Sequence, residues 1–208
     1  MINKNAFLPE LAALPNWVCW RLEKDAKKNR DAKVPYSPKT GKKASCSNPF
    51  TWDTLDEALY YAEKYMFSGI GFVFTEGCGI IGIDIDHCIE NGALNETAAD
   101  IISTLPPTYI EKSPSGTGLH IFLRGQIPTG GNRSSKTSVE MYAKSRYFTM
   151  TGDKYPGSAD TIANDNGAIN IIHQKYIAAP KRQLKKTTTH PSRPLTDDEL
   201  LDLIATVF

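Results

Sequence analysis

Short runs that alternate apolar and polar positions dominate this chain, and few stretches carry helical spacing. Residues 17–23 (WVCWRLE) alternate and predict a strand. Residues 69–74 and 79–86 are apolar runs separated by 75–78, a glycine-containing, hairpin-like turn. Residues 109–112, 119–124, 138–142 and 147–151 predict four more strands. Residues 51–65 predict a helix, with Thr51 or Asp53 as cap and Leu55, Leu59 and Ala62 as its apolar stripe. A short helix is predicted over 95–105, capped by Asn95 and stopped by Pro106 and Pro107, and another over 167–176. Between 24 and about 49 the chain reads as a basic loop with proline and glycine.

Length and composition narrow the organisation. The 208 residues, 40% hydrophobic, suffice for one core or one core with a small appendage. Residues 1–178 read as one domain. Residues 181–194 hold no acid and almost nothing apolar, so 179–195 reads as a basic linker. Thr196 to Glu199 is a capping-box pattern, and 196–208 reads as the start of a C-terminal helical segment of about three turns, either truncated from a longer protein or a helix that docks elsewhere. The net charge of +1 excludes no partner, but residues 24–43 gather Lys24, Lys27, Lys28, Arg30, Lys33, Lys39, Lys42 and Lys43 against Asp25 and Asp31. Such a stretch is either solvated or faces an anion such as a nucleic-acid backbone. The four cysteines are scattered without ligand spacing, so no zinc is expected, and Cys19 and Cys88 read as reduced core thiols. No apolar run is long enough to span a membrane and no signal peptide is evident, which points to a cytoplasmic protein.

Three motifs carry candidate chemistry. In Ile80-Ile81-Gly82-Ile83-Asp84-Ile85-Asp86, strand alternation turns Ile81, Ile83 and Ile85 to the core and Gly82, Asp84 and Asp86 to the other face. The two aspartates then stand roughly 7 Å apart, and a divalent cation with hard oxygen ligands, Mg²⁺ or Mn²⁺, relieves their repulsion. Two exposed acids on an open sheet face are the plain alternative. In Ser113-Pro114-Ser115-Gly116-Thr117-Gly118-Leu119-His120, a donor-rich turn suits an anion nest and runs into a strand that puts His120, Phe122 and Arg124 on one face. A structural histidine is the alternative there. In Ser138-Val139-Glu140-Met141-Tyr142, an acid between apolar neighbours needs a partner: a third place at the metals, or a cross-strand Lys or Arg. Arg146, just beyond, could neutralise a triphosphate, reach Glu140, or simply lie on the surface.

In this order, Asp84-Ile85-Asp86, Gly118-Leu119-His120 and Val139-Glu140 resemble the signature of the archaeo-eukaryotic primase superfamily. The closer resemblance is to primase-polymerase domains of phages and mobile elements. It rests also on Asn16-Trp17-Val18-Cys19-Trp20, Lys33-Val34-Pro35-Tyr36, Asn48-Pro49-Phe50-Thr51-Trp52 and Arg146-Tyr147-Phe148-Thr149-Met150-Thr151-Gly152, and covers about residues 10–155. The resemblance implies an α+β fold, with an RNA-recognition-motif-like catalytic sheet, a small N-terminal α/β unit packed on it, and the active site between them. It implies that Asp84, Asp86 and Glu140 hold two Mg²⁺ or Mn²⁺ ions. His120, with Ser113, Ser115, Gly116 and Arg146, would take the incoming NTP or dNTP. Lys33, and with it Lys42 and Lys43, would lie at a groove for single-stranded template and primer. A helicase domain or protein is an implied partner, and the host cell of a phage or mobile element the implied setting. The same acids could instead serve a metal-dependent nuclease or phosphoesterase, and a third possibility is a non-catalytic strand- or origin-binding module.

Overall fold

The computed structural model describes residues 4–25 and 30–178. The expected linker at 179–195, the expected helix at 196–208, and Lys27 and Lys28 lie outside them. In chain order the elements are α1 (Pro9–Ala12), β1 (Trp17–Asp25), β2 (Arg30–Tyr36), α2 (Leu55–Lys64), β3 (Gly69–Phe74) and β4 (Ile80–Ile85). There follow β5 (Ile89–Glu90), β6 (Ala93–Leu94), α3 (Glu96–Thr104), β7 (Ile110–Lys112), β8 (Leu119–Arg124) and β9 (Arg133–Ser134). The last are β10 (Val139–Tyr142), β11 (Arg146–Met150), β12 (Ala163–Asn164) and α4 (Ala168–Ile172), which runs on as a π-helical turn. The expected α+β class is borne out.

Two sheets organise these elements. One has the order β11-β3-β1-β2, and the other has the order β12-β8-β4-β10-β9 with β7 also paired to β8. Alternation along β4, β8 and β10 sends Ile81, Ile83, Ile85, Leu119, Ile121, Leu123, Val139 and Met141 to one face, where residues of α3 and α4 cover them. The opposite face is apolar at one end only. There Ile80 and Phe122 join Tyr109, Phe72, Phe74 and Phe148 in a core shared between the sheets, to which α2 adds Leu55, Ala58 and Ala62. Cys19 and Cys88 are buried free thiols, as expected. No helix among the described residues is long and apolar enough to cross a membrane.

Several expectations are corrected. The turn at 75–78 is not a hairpin: β3 and β4 belong to different sheets. A 3₁₀ turn over Glu76–Cys78 and left-handed Gly79 (φ +63°) redirect the chain between them. All six residues of β3 are buried, so its pattern names no pairing partner. The basic "loop" contains β2, which pairs antiparallel with β1 from Cys19↔Tyr36 to Asp25↔Arg30. Being an edge strand, it tolerates Pro35. The N-terminal unit is also not self-contained, because β11 from late in the chain pairs with β3 and completes its sheet. The cap of α2 is Thr54, whose hydroxyl accepts from the Glu57 amide at 3.3 Å, while the chain at Thr51 is a separate 3₁₀ turn.

The Asn95 cap is borne out: its Oδ1 accepts from the Ala98 amide at 2.9 Å. Asn95→Ala should therefore destabilise the chain by about 1 kcal/mol. Thermal unfolding should register this as a fall of about 2–4 °C.

Candidate active site

Five polar side chains form a single row across five strands. Register pairs Glu111 with His120, His120 with Asp84, Asp84 with Glu140, and Glu140 with Arg133, spanning β7-β8-β4-β10-β9. Directly opposed residues of antiparallel strands point to the same face, with Cβ atoms about 5 Å apart. The row therefore occupies the polar end of the face whose other end is the shared aromatic core. Gly82, two residues before Asp84, marks the boundary, because a Cβ there would collide with the rings of Phe74 and Phe148. Phe148 then stacks on the His120 ring, with centroids 4.9 Å apart.

Asp84 is the electrostatic centre. Its side chain is 16% exposed, and its Oδ1 is buried without a hydrogen-bond partner. Burial pushes its carboxyl pKa up to about 6; His120 works against this, Asp86 and Glu140 add to it, and Lys33 opposes it. His120 Nε2 stands 3.8 Å from that oxygen, too far for a good hydrogen bond. Asp86, just past the strand end, is exposed. Glu140 accepts at Oε2 from the Tyr142 hydroxyl at 2.9 Å and from Arg146 at 3.3 Å. Among the described residues no three His, Cys, Asp or Glu side chains are drawn into a ready ligand set. The donor chemistry nonetheless fits divalent cations: hard carboxylate oxygens, one of them buried and unpaired, share one face.

The cleft between the sheets, of about 510 Å³, is lined by Asp84, Asp86 and His120 on one side and by Lys33, Arg146, Tyr147 and Phe148 from the other sheet. Thus Asp84, Asp86, His120, Arg146 and Lys33 converge. Glu140 and Asp86 also line a neighbouring polar hollow with Arg133, His87 and Ser138. Three non-glycine residues with left-handed backbone flank these groups: His87 (φ 51°) after Asp86, Ser138 (φ 55°) ahead of Glu140, and Ser145 (φ 54°) before Arg146. Such conformations cost about 1–2 kcal/mol each and persist where surrounding structure imposes them.

Other expected residues lie less simply. Ser113, Ser115 and Gly116 form the turn ahead of β8, but its donors are spent internally. The Gly116 amide donates to the Ser113 carbonyl at 2.9 Å, the Gly118 amide to Ser113 Oγ at 3.2 Å, and the Thr117 amide to Ser115 Oγ at 3.3 Å. The anion nest expected from the glycines therefore has three of its amides already occupied. Arg146 adopts the Glu140-pairing alternative, its guanidinium 4.8 Å from the Tyr142 ring centre. Arg124 pairs with Glu10 at the far end of its strand and does not join the row. Lys43 pairs with Glu23 at 2.8 Å and Lys39 with Asp53 at 2.9 Å, so part of the basic stretch is neutralised locally; Lys42 is exposed.

Sequence reasoning missed Glu111 and Arg133, and it gave Phe148, though part of the 146–152 motif, no role in the site. Glu111 carries the signal that singled out Glu140, an acid at an alternating position in an apolar strand. Arg133 lies on a two-residue strand too short to show a pattern.

No protein-family model matches the chain. A curated relative, the "DNA Primase-polymerase" of Nitratiruptor phage NrS-1, is 32% identical over 212 residues, taking in 98% of this chain and 28% of the relative. The chain thus spans less than a third of that protein's length, and the resemblance to phage-type primase-polymerase domains holds along nearly all of its own.

Proposed function

We propose that this chain, related along 98% of its length to part of a phage DNA primase-polymerase, is a template-directed nucleotidyltransferase domain joining NTPs or dNTPs to a 3′-hydroxyl on single-stranded DNA. The observation that carries the proposal is the unpaired, buried Oδ1 of Asp84, flanked in register by His120 and Glu140. A buried carboxylate without a partner is costly, and such sites are retained where a charged ligand completes them.

In this reading Asp84, Asp86 and Glu140 hold Mg²⁺ or Mn²⁺. Bound divalent cations supply charge neutralisation at the triphosphate and a more acidic 3′-hydroxyl. The residues of the chain bind and orient. His120 presents Nε2 beside Asp84, at the place where a phosphate oxygen of the incoming nucleotide would lie. Phe148 fixes the plane of that ring by stacking. Arg146 and Lys33 offer positive charge from the opposite wall of the cleft, where negative charge accumulates on a departing pyrophosphate. Arg146 would exchange its contact with Glu140 for the triphosphate once cations occupy the acids. The serine turn would act by holding β8 in place more than by offering free amides. A helicase partner and a setting in phage or mobile-element replication belong to the same proposal.

The test is a single assay with purified protein, single-stranded template, labelled nucleotides and Mg²⁺ or Mn²⁺, with and without primer. Extension supports the proposal, and short products without primer add priming. Template degradation would replace it with a nuclease, and binding without chemistry with a strand-binding module. Arg146→Ala should raise the KM for nucleotide by about tenfold or more, the worth of one charge-assisted contact. Steady-state kinetics with varied nucleotide at fixed primer checks this, and an unchanged KM would remove Arg146 from the triphosphate site.

A further inference from the structure

The buried carboxylate at the end of the row has no role in the reading above. Glu111 is fully buried, at 0% exposure, yet among the described residues its carboxylate takes no hydrogen bond from a lysine or arginine. What surrounds it is a set of donors. Its Oε1 accepts from the Thr151 amide at 3.1 Å, and its Oε2 from the Gly152 amide at 3.0 Å and the Tyr109 hydroxyl at 2.9 Å. The remaining position on Oε1 faces His120 Nδ1 at 3.5 Å. An ionised carboxylate only accepts hydrogen bonds, with room for about four. Three are filled by groups that can only donate here or have no other acceptor, and the fourth faces the imidazole.

We propose that Glu111 is a positioning residue for His120: it keeps the proton on Nδ1 and holds the ring so that Nε2 is the atom presented to the cleft beside Asp84. This rests on the reading of His120 as a nucleotide contact. The geometry gives the ring three constraints. Glu111 holds Nδ1 on one side, Phe148 stacks on its face at 4.9 Å, and Nε2 looks toward Asp84 Oδ1 at 3.8 Å. With Glu111 acceptor-only, the tautomer carrying hydrogen on Nε2 alone would set the Nδ1 lone pair against a carboxylate oxygen, which is repulsive. A functional histidine is commonly held this way, the partner of one nitrogen fixing what the other can do.

The same contacts explain why the anchor is rigid. The Thr151 and Gly152 amides follow directly on β11, whose Phe148 supplies the stacking ring, and the Thr151 hydroxyl donates to the Lys112 carbonyl at 2.7 Å. Glu111 therefore ties β7 to the chain leaving β11 and sets His120 and Phe148 relative to each other across the two sheets.

The experiment reads the ring directly. In long-range ¹H–¹⁵N spectra of the full chain, the His120 signals, assigned by their loss in His120→Gln, should show Nδ1 protonated. In Glu111→Gln, whose amide has about the same shape but one acceptor oxygen in place of two, that signature should weaken or the ring should exchange between tautomers. The KM for nucleotide should rise about 10–100-fold, with kcat changed less. Glu111→Asp, which keeps the charge, should recover part of the loss. A wild-type His120 protonated only on Nε2 overturns the proposal even if no variant folds. So does a folded Glu111→Gln with the wild-type ring signature and KM. Absence of any nucleotide addition by the wild-type chain would instead count against the proposed function, because the spectra of the nucleotide-free protein do not depend on activity.

Discussion

Asp84→Asn should abolish nucleotide addition and, in the same protein without added metal, raise the thermal midpoint above pH 6. Both follow from one arrangement. The Asp84 carboxyl is pushed by burial from 3.8 to about 6, with Asp86 and Glu140 adding repulsion. The folded chain therefore holds this proton more tightly than the unfolded chain does. Between about pH 4 and pH 6 the folded state binds the extra proton, and stability falls as pH rises through that window. Above about pH 6 the whole cost is present, up to about 3 kcal/mol for two pKa units at about 1.4 kcal/mol each. Asparagine removes the charge and with it the cost, so the variant should gain about 1–3 kcal/mol at pH 7.5 and nothing near pH 4. Added Mn²⁺ should stabilise the wild type by mass action and leave the variant nearly unmoved, narrowing or reversing their order. Differential scanning at the two pH values, with and without Mn²⁺, measures this beside the extension assay. A variant that extends primers at the normal rate, or one less stable than the wild type at both pH values, would remove Asp84 from the centre of the site.

Gly82→Ala should be among the most destabilising single-methyl additions in the chain. Gly82 sits on β4 between Ile80, which belongs to the aromatic core, and Asp84, which belongs to the polar row. A Cβ at this position would fall inside the contact distance of both Phe74 and Phe148, two large rings that are themselves buried. Both rings are hemmed in by others: Phe74 packs against Phe72 and Phe122, and Phe148, which borders the cleft, against Phe74, Phe122, Tyr142 and His120. Overpacking of this kind costs about 3 kcal/mol, or about 6–12 °C in a chain of this size. Because Phe148 is also the ring stacked on His120, any relaxation reaches the site, and nucleotide affinity should fall in whatever fraction remains folded. A melting temperature within a degree of the wild type would show that the two sheets slide apart more easily than this packing allows.

Much of the site was legible in the chain because its signals are local. Alternation along β4 and β8 is a property of six successive residues, and it correctly separated Ile81, Ile83 and Ile85 from Asp84, and Leu119, Ile121 and Leu123 from His120. The Asn95 cap is equally local, a side chain reaching an amide three residues on. Errors came where a local pattern has two physical solutions. Two apolar runs joined by a short glycine turn look like a hairpin, but strands buried on both faces are compatible with any partner, and β3 and β4 went to different sheets. The strand β2 was obscured because Arg30, Asp31, Lys33 and the edge-strand Pro35 interrupt its apolar signal.

By itself, then, the sequence determined which residues share a strand face, since that is set by backbone geometry over a few residues. It thereby singled out the acids and the histidine as candidates and gave the resemblance they carry. Only the tertiary structure decided that His120, Asp84 and Glu140 stand in one register, that Arg146 and Lys33 face them from a second sheet, and that a buried Glu111 backs the histidine. Register and sheet partnership come from pairing and burial between segments distant in the chain, and no periodicity within one segment encodes its neighbour.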